Sequence, residues 1–357
     1  MPGRNAELDL DSAIIGEILL MQSAVFHGRR CNRSAAWVLP AILAEFALTG
    51  CQVLTVTLSP TGVSTAIGVE SLSTEDGAAV NGVANSPAIP TELDQLMLER
   101  INRARLRPGA EASRNGISVD EGVPGELNAD PKPAVAFNMM LAEAARRHAD
   151  DMLANDYFDH VNSDGQDPFD RMRDAGYALA AGGENLAWRG TTGPLQEVTT
   201  TEQVHVDLFV DSDVPDRGHR RVMLTNGFRE VGVSVRSGTF TTLTGGLLID
   251  FISLMVVHNY GASQDAMVYF ILGVVYDDSN NNGEYDFGEG TTSATVTLDD
   301  RTTTTANGGG FTFEVSSGQH TITFNGRTRD LTVLNRNLKV DFVNGERIDV
   351  NLGLGEL

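Results

Sequence analysis

The sequence predicts an α+β domain followed by a small all-β sandwich. Three observations point there. Segments with helical spacing and recognisable caps fill the chain from residue 91 to about 210. Two Val/Ile-rich runs, FREVGVSVR and LLIDFISLMVV, follow them, and helices followed by strands suggest α+β layers rather than a doubly wound parallel sheet. From about Leu272 the pattern changes to short runs alternating apolar and polar residues, with Gly and Asn between them. The 357 residues are more than one small domain needs. Lys and Arg number 26 against 48 Asp and Glu, a net charge of −22. That balance excludes the basic footprint nucleic acid requires and favours divalent cations where carboxylates cluster.

The N-terminal part reads as an address. Arg29, Arg30 and Arg33 form a basic region, and an apolar run over 35–47, interrupted by Pro40 and Glu45, is too short to span a bilayer. Met21 is a second candidate start. Leu48-Thr49-Gly50-Cys51 closes the run and resembles the lipobox of bacterial lipoproteins. In that family the cysteine thiol is the lipidated group, so the resemblance implies a lipid anchor at Cys51. An ordinary cleaved signal and an uncleaved or cytoplasmic segment are the other readings of this stretch, and a buried small hydrophobe is the other reading of Cys51. The only other cysteine is Cys31, too few for a disulfide framework or a cysteine-rich zinc site. Residues 52–90 hold no Lys or Arg and show no sustained period, as an exported linker would.

The domain expected over 91–270 opens with Thr91 as N-cap and Leu93, Leu96, Met97, Ile101 and Ala104 at helical spacing, with Pro108 ending the helix. Asn138 caps a second helix carrying Leu141, Ala144, Ala145, His148 and Met152 on one face. Asp167 and Pro168 start a short third, closed by Gly176. A fourth spans about 194–210. His148 reads as core, and His205 as a residue packing on its helix in preference to a groove.

Four clusters in this stretch look chemical: Tyr157-Phe158-Asp159-His160, Gly182 to Ala187 around Glu184, His205 to Asp213, and Arg217-Gly218-His219-Arg220. His160, Glu184 and His219 are ligand types of a two-His, one-carboxylate zinc site. Scattered singly, without a metal-motif spacing, they read by themselves as hydrogen-bonded histidines and a capping or surface carboxylate. Arg220 and Arg221 read as surface or helix-end charges. The stretch from about Leu93 to Asp250 resembles the CAP superfamily (cysteine-rich secretory proteins, antigen 5 and pathogenesis-related 1 proteins) in its bacterial form. LERINRARLRPGAEA, LAEAARRHADDM, FDHVNSDG, GGENLA and RGHRRVMLTNGFREVGVSV carry the likeness, in order. It implies an α-β-α sandwich with a groove lined by two His and two acidic residues, carried over to His160, Glu184 and His219. For the fourth, Phe209 takes the place of a family Trp, and Asp211 rather than Asp213 is the candidate. The family's members are described as binding sterols, lipids, peptides or partner proteins. The groove types suit zinc or a similar divalent ion, and a metal-bound water with Glu184 or the Asp as base would make a hydrolase. No G-x-S-x-G elbow supports a nucleophilic serine.

Over 271–357, TSATVTLDD, GGFTFEVSS, QHTITFNG and TRDLTVL predict a small antiparallel sandwich. It opens with GVVYDDSNNNGEYDFGEG, whose 278–289 fits the calcium-loop formula D-x-[DN]-x-[DN]-G-x₅-E. The ligands expected are Asp278, Asn280, Asn282, the Glu284 carbonyl, Asp286 and Glu289, with Gly283 at the sharp turn. An Asx-turn hairpin without an ion is the alternative. With no helical pattern on either side the loop is not an EF-hand; it resembles the opening of bacterial B-type surface-adhesin repeats, prealbumin-like sandwiches, which implies a structural calcium. The functional expectation is an exported cell-envelope module that binds a lipid, peptide, glycan or protein. A metal-dependent hydrolase of peptides or envelope polymers and a structural envelope spacer are its rivals.

Overall fold

The computed structural model describes residues 18–22, 53–55, 90–265 and 267–351. The basic region, the apolar run over 35–47, Cys51 and most of the linker lie outside the described residues. Two short strands precede the main body: β1 (Ile18–Gln22) and β2 (Val53–Thr55).

Helix α1 (Glu92–Leu106) starts on a capping box in which Thr91 and Asp94 bond to each other's backbone N–H. Asp94 also accepts from Val235 N, tying the cap to the sheet. The helix stops at Leu106, before the Pro108 expected to end it. Pro108 instead occupies the first turn of α2 (Pro108–Arg114), where its missing N–H is no loss. The two-residue strand β3 (Ala136–Phe137) leads into α3 (Met139–Asn155), capped by Asn138 and closed by Asp156 in the left-handed conformation. Asp167 caps α4 (Pro168–Asp174). Then come β4 (Leu179–Thr191), α5 (Glu197–Val210), α6 (Gly218–Met223), β5 (Glu230–Thr244) and β6 (Leu247–Ser263).

One sheet runs β1-β4-β6-β5-β3, with β2 also on β4; β4, β6 and β5 are antiparallel and β3 is parallel to β5. Alternation along β6 places Leu254 and Val256 on one face and Met255 and Val257 on the other. The first face packs on Met97 and Ile101 of α1, Val204 and Leu208 of α5 and Val222 of α6. The second packs on Ala145, Ala149 and Met152 of α3, with Trp188 of β4 between. This is the α-β-α layering expected. Helix α3 approaches β5 so closely at Gly232 that a Cβ there would stand 2.0 Å from Ala142 N. Arg105, fully buried, ties the segments around α6 to α1 through the carbonyls of Pro133, Met223, Thr225 and Phe228.

The C-terminal part has two four-stranded sheets. One orders β10 (Gly310–Val315), β7 (Tyr269–Tyr276), β13 (Leu338–Val343) and β14 (Arg347–Asn351). The other orders β12 (Arg327–Val333), β11 (Gly318–Phe324), β8 (Thr295–Leu298) and β9 (Arg301–Thr304). Ile271, Phe313, Val340 and Phe342 of the first meet Val296, Leu298, Ile322 and Val333 of the second in a shared core. The expected sheet was antiparallel throughout, but β13 pairs with β7 in parallel. The strands are distant in sequence, and a hairpin pattern reads only local pairing.

The two parts share an interface built on α1. Leu96 packs with Val274, Tyr276, Tyr285 and Val343. Lys339 of β13 reaches Glu99 at 2.8 Å and also pairs with Asp341. Arg100 bonds to the Tyr285 carbonyl and to Asp286, and Arg103 pairs with Glu284.

Candidate functional site

His160 lies in the turn after α3. That turn is held by His148 Nε2, 2.9 Å from the Asp159 carbonyl, and by Arg171 of α4, which donates to the His160 carbonyl at 2.7 Å. Glu184 stands on β4, fully buried. Its Oε1 is 2.7 Å from His160 Nδ1 and its Oε2 is 2.7 Å from Arg171 Nη2. Burial opposes the charge on Glu184, but Arg171, His148 and His160 together outweigh it and hold the carboxyl at about 2. Burial also lowers the pKa of His160, against the pull of Glu184.

The second pair is built by the α5–α6 connection. Asp211 follows the last turn of α5 in the left-handed conformation, φ 55°. There its Oδ2 accepts from His219 N at 2.8 Å while Oδ1 stands 2.7 Å from His219 Nδ1. Both histidines thus present Nδ1 to a carboxylate. An acceptor-only partner fixes the proton on Nδ1 and makes Nε2 the basic nitrogen of each ring. The α6 backbone is fixed in turn by Asn185, which donates to the His219 carbonyl at 3.1 Å.

Arg220 is not a surface charge. It is fully buried, and its guanidinium donates to the carbonyls of Phe209, Val119, Glu121 and Val210. It fixes the turn carrying Asp211 against the segment after α2. Arg221 keeps a helix-end role, paired with Glu126 at the surface. His148 is core, 1 % exposed. His205 stays on α5 with Nε2 2.9 Å from Glu111 Oε1. Glu111 also accepts from Arg103, and His205 and Arg103 overcome burial to hold it at about 2.

Two participants carried no sequence signal. Arg171 is a single cation in a short helix. His258 of β6 is fully buried, with no hydrogen-bond partner for either ring nitrogen among the described residues. Burial pushes it down to about 3, and the nearby His205 and His219 add to this.

Among the described residues no three His, Cys, Asp or Glu side chains are gathered as a metal cluster. Glu184, expected as the carboxylate ligand or base, has both oxygens engaged by His160 and Arg171.

In the 278–289 loop, Asp278 accepts from Asn282 N and Gly283 N, and Asn280 and Asn282 both donate to Asp286 Oδ2, at 2.7 and 2.6 Å. Glu289 accepts from Ser279 and from Asp286 N. Gly283 has φ 79°, which a side chain would strain. The donors are hard oxygens or amides that present one when turned, so they suit calcium in kind. Arg100 already stands 2.8 Å from Asp286 Oδ1 as a competing cation. Glu284 turns its side chain to Arg103 and Arg114, which leaves its carbonyl for the loop. A cleft of about 130 Å³ beside this loop is lined by Arg103, Arg107, Tyr276, Asp341, Asp349 and Asn351. Arg103, Asp341 and Asp349 are ion-paired within the chain, and Arg107 donates to the amide oxygen of Asn351.

Residues 98–245 match the family model of the cysteine-rich secretory protein family, CAP. His160, Glu184, Asp211 and His219 all fall inside the match. The uncharacterized membrane protein YlbC of Bacillus subtilis (strain 168) is 28% identical over 105 residues, 29% of this chain and 27% of that protein. A crystal structure of an extracellular protein containing an SCP domain from Bacillus anthracis str. Ames aligns at 19% identity and a TM-score of 0.29, over 48% of this chain and 40% of that chain. The chain therefore spans about a quarter of the curated relative and two fifths of the solved structure.

Proposed function

We propose that this chain is an exported envelope protein whose CAP domain binds a ligand or partner without hydrolysing it. The observation carrying this reading is the commitment of both acidic groups. Glu184 is spent on His160 and Arg171, and Asp211 on His219 N and Nδ1. A hydrolase needs a base free to take a proton from water and an open metal position. Here each carboxylate orients an imidazole, the work of a positioning group. Any divalent ion would rest on the two imidazoles, with no third ligand from Glu184. Lipid attachment at Cys51 belongs to the same proposal and would hold the domain at a membrane. The ligand class is a lipid, peptide, glycan or protein of the envelope.

The test is incubation of the purified chain with isolated cell-wall polymer and with a peptide mixture, with and without zinc. Retention without release of soluble fragments is expected. Fragment release that disappears in Glu184→Gln would establish the hydrolase instead. Glu184→Gln should in any case destabilise the fold by about 3 kcal/mol near pH 7, since it leaves buried Arg171 without its counter-charge. The sign agrees with the depressed pKa. The Glu184 contribution is complete above its ordinary value of 4.5 and is lost as pH falls through about 2. Chemical unfolding at pH 7 and pH 3 checks it: the gap between parent and variant should narrow at the lower pH.

For the 278–289 loop we infer a structural calcium held by Asp278, Asn280, Asn282, the Glu284 carbonyl, Asp286 and Glu289. Calcium at a hundred times its dissociation constant would add about 2.7 kcal/mol. A chelator should lower the thermal midpoint of the parent and leave that of Asp278→Ala unmoved. Equal shifts in both would remove calcium from the loop.

A further inference from the structure

Strands β5 and β6 pair with each other up to Thr244 and Leu247, across a Gly245-Gly246 turn. The neighbouring strand β4 stops earlier, its last pair being Thr191 with Ile252. Residues 241–250 therefore extend past β4 as a two-stranded ribbon, with its base held by Thr241 N on Asp156. The tip of this ribbon is apolar. Leu243 and Leu247 are each 68 % exposed and Leu248 75 %, with Ile252 half-exposed behind them. The eleven residues 239–249, TFTTLTGGLLI, contain no charge in a chain whose net charge is −22.

We propose that this leucine tip inserts into the surface of an uncharged lipid bilayer. The size of the patch argues against a second copy, because a stable interface takes about 20–30 residues a side and the tip offers three leucines and an isoleucine. A bilayer needs no complementary surface, only a tip of apolar side chains, and the one charge on the ribbon, exposed Asp250, sits at its base opposite Thr241 rather than at the tip. The absence of cations on the ribbon, in so acidic a chain, disfavours anionic headgroups and selects a zwitterionic surface. Depth is limited by the backbone. The strands satisfy each other inwardly, but beyond Thr241 no described strand pairs with the outer edges of the ribbon, and their backbone N–H and C=O groups hold insertion to the interfacial zone. The threonines at 239, 241, 242 and 244 suit that zone with their hydroxyls. This surface is separate from the His160–Glu184 and His219–Asp211 pairs and does not rest on the binding proposal.

The experiment uses the full chain with Cys31→Ser and Cys51→Ser, so that no lipid anchor contributes. An environment-sensitive fluorophore is placed at Leu247→Cys, or at Thr328→Cys on the β-sandwich as control. Phosphatidylcholine vesicles should shift the emission of the Leu247 label to the blue and leave the Thr328 label unmoved. In sedimentation with the same vesicles, Leu248→Ser should weaken binding about tenfold. Leu243→Ser/Leu247→Ser/Leu248→Ser should weaken it by more than a hundredfold. Circular dichroism melting of these exposed variants confirms that the fold is kept. A Leu247 label that stays in water with vesicles present would overturn the proposal. So would a blue shift that needs no vesicles and grows with protein concentration, which would assign the tip to self-association.

Discussion

Lys339→Met should destabilise the full chain by roughly 3–5 kcal/mol at pH 7.5, the range for removing one partner of a buried ion pair. Lys339 Nζ stands 2.8 Å from Glu99 of α1 and also bonds to Asp341. All three groups are nearly inaccessible. Without the ammonium, two carboxylates face each other in the interface between α1 and the C-terminal sheets. Burial already raises the pKa of Glu99, with Asp341 adding to the rise and Lys339 opposing it. In the variant that opposition is gone and the pKa climbs further. A carboxyl raised in the folded state contributes stability that is full below its unfolded value and is lost as pH rises through the folded one. The defect should therefore shrink as pH falls from 7.5 to 5. Urea unfolding at both pH values checks this. Glu99→Gln/Lys339→Met/Asp341→Asn should recover most of the loss, because no uncompensated charge remains. A loss below about 1 kcal/mol, or one independent of pH, would show that the triad does not hold the interface.

That triad also shows where sequence reading stops. Helices α1, α3 and α4 announce themselves because Thr91, Asn138 and Asp167 cap them with side-chain bonds. Helix α5 has no side-chain cap, and it begins at Glu197 rather than near residue 194. The strand β4 was legible only as a chemical cluster. Its GGENLA stretch is poor in strand-forming residues, and it is extended because β6 pairs with it and its side chains are buried on both faces. Asp211 and His219 are eight positions apart, so local cap geometry could bring them together. Arg171 and Glu184 meet only once a helix and a strand have packed. Arg220 was misread for a related reason. An arginine in a short basic run is ordinarily exposed, and only the turn geometry shows four carbonyls facing its guanidinium. The interface residues Glu99, Arg100 and Arg103 share one helix with their core neighbours. Their partners stand more than 180 residues away, where no periodicity reaches.

His258→Leu should leave stability at pH 7.5 unchanged or raised, and at pH 5 should exceed the parent by about 2 kcal/mol more than at pH 7.5. The ring is fully buried on β6 with neither nitrogen partnered among the described residues. An unsatisfied buried polar group costs about 1–3 kcal/mol, while a hydrophobic replacement of similar volume costs about 1.5 kcal/mol or less. The pH term follows from the depressed value of about 3, caused first by burial and then by His205 and His219. Between that value and the ordinary 6.5 the unfolded chain binds a proton that the folded chain refuses, so stability falls with pH across this window. At pH 5 the difference is about 1.5 pKa units, or about 2 kcal/mol. His148, pushed by burial to about 4, titrates alike in both proteins and cancels from the comparison. Urea unfolding at the two pH values measures the slope directly. An equal slope in parent and variant would show that His258 is not what titrates, and a large loss at pH 7.5 would show that the ring needs a buried water that leucine displaces. The expected outcome makes His258 a net cost to folding in the core next to the His219–Asp211 pair.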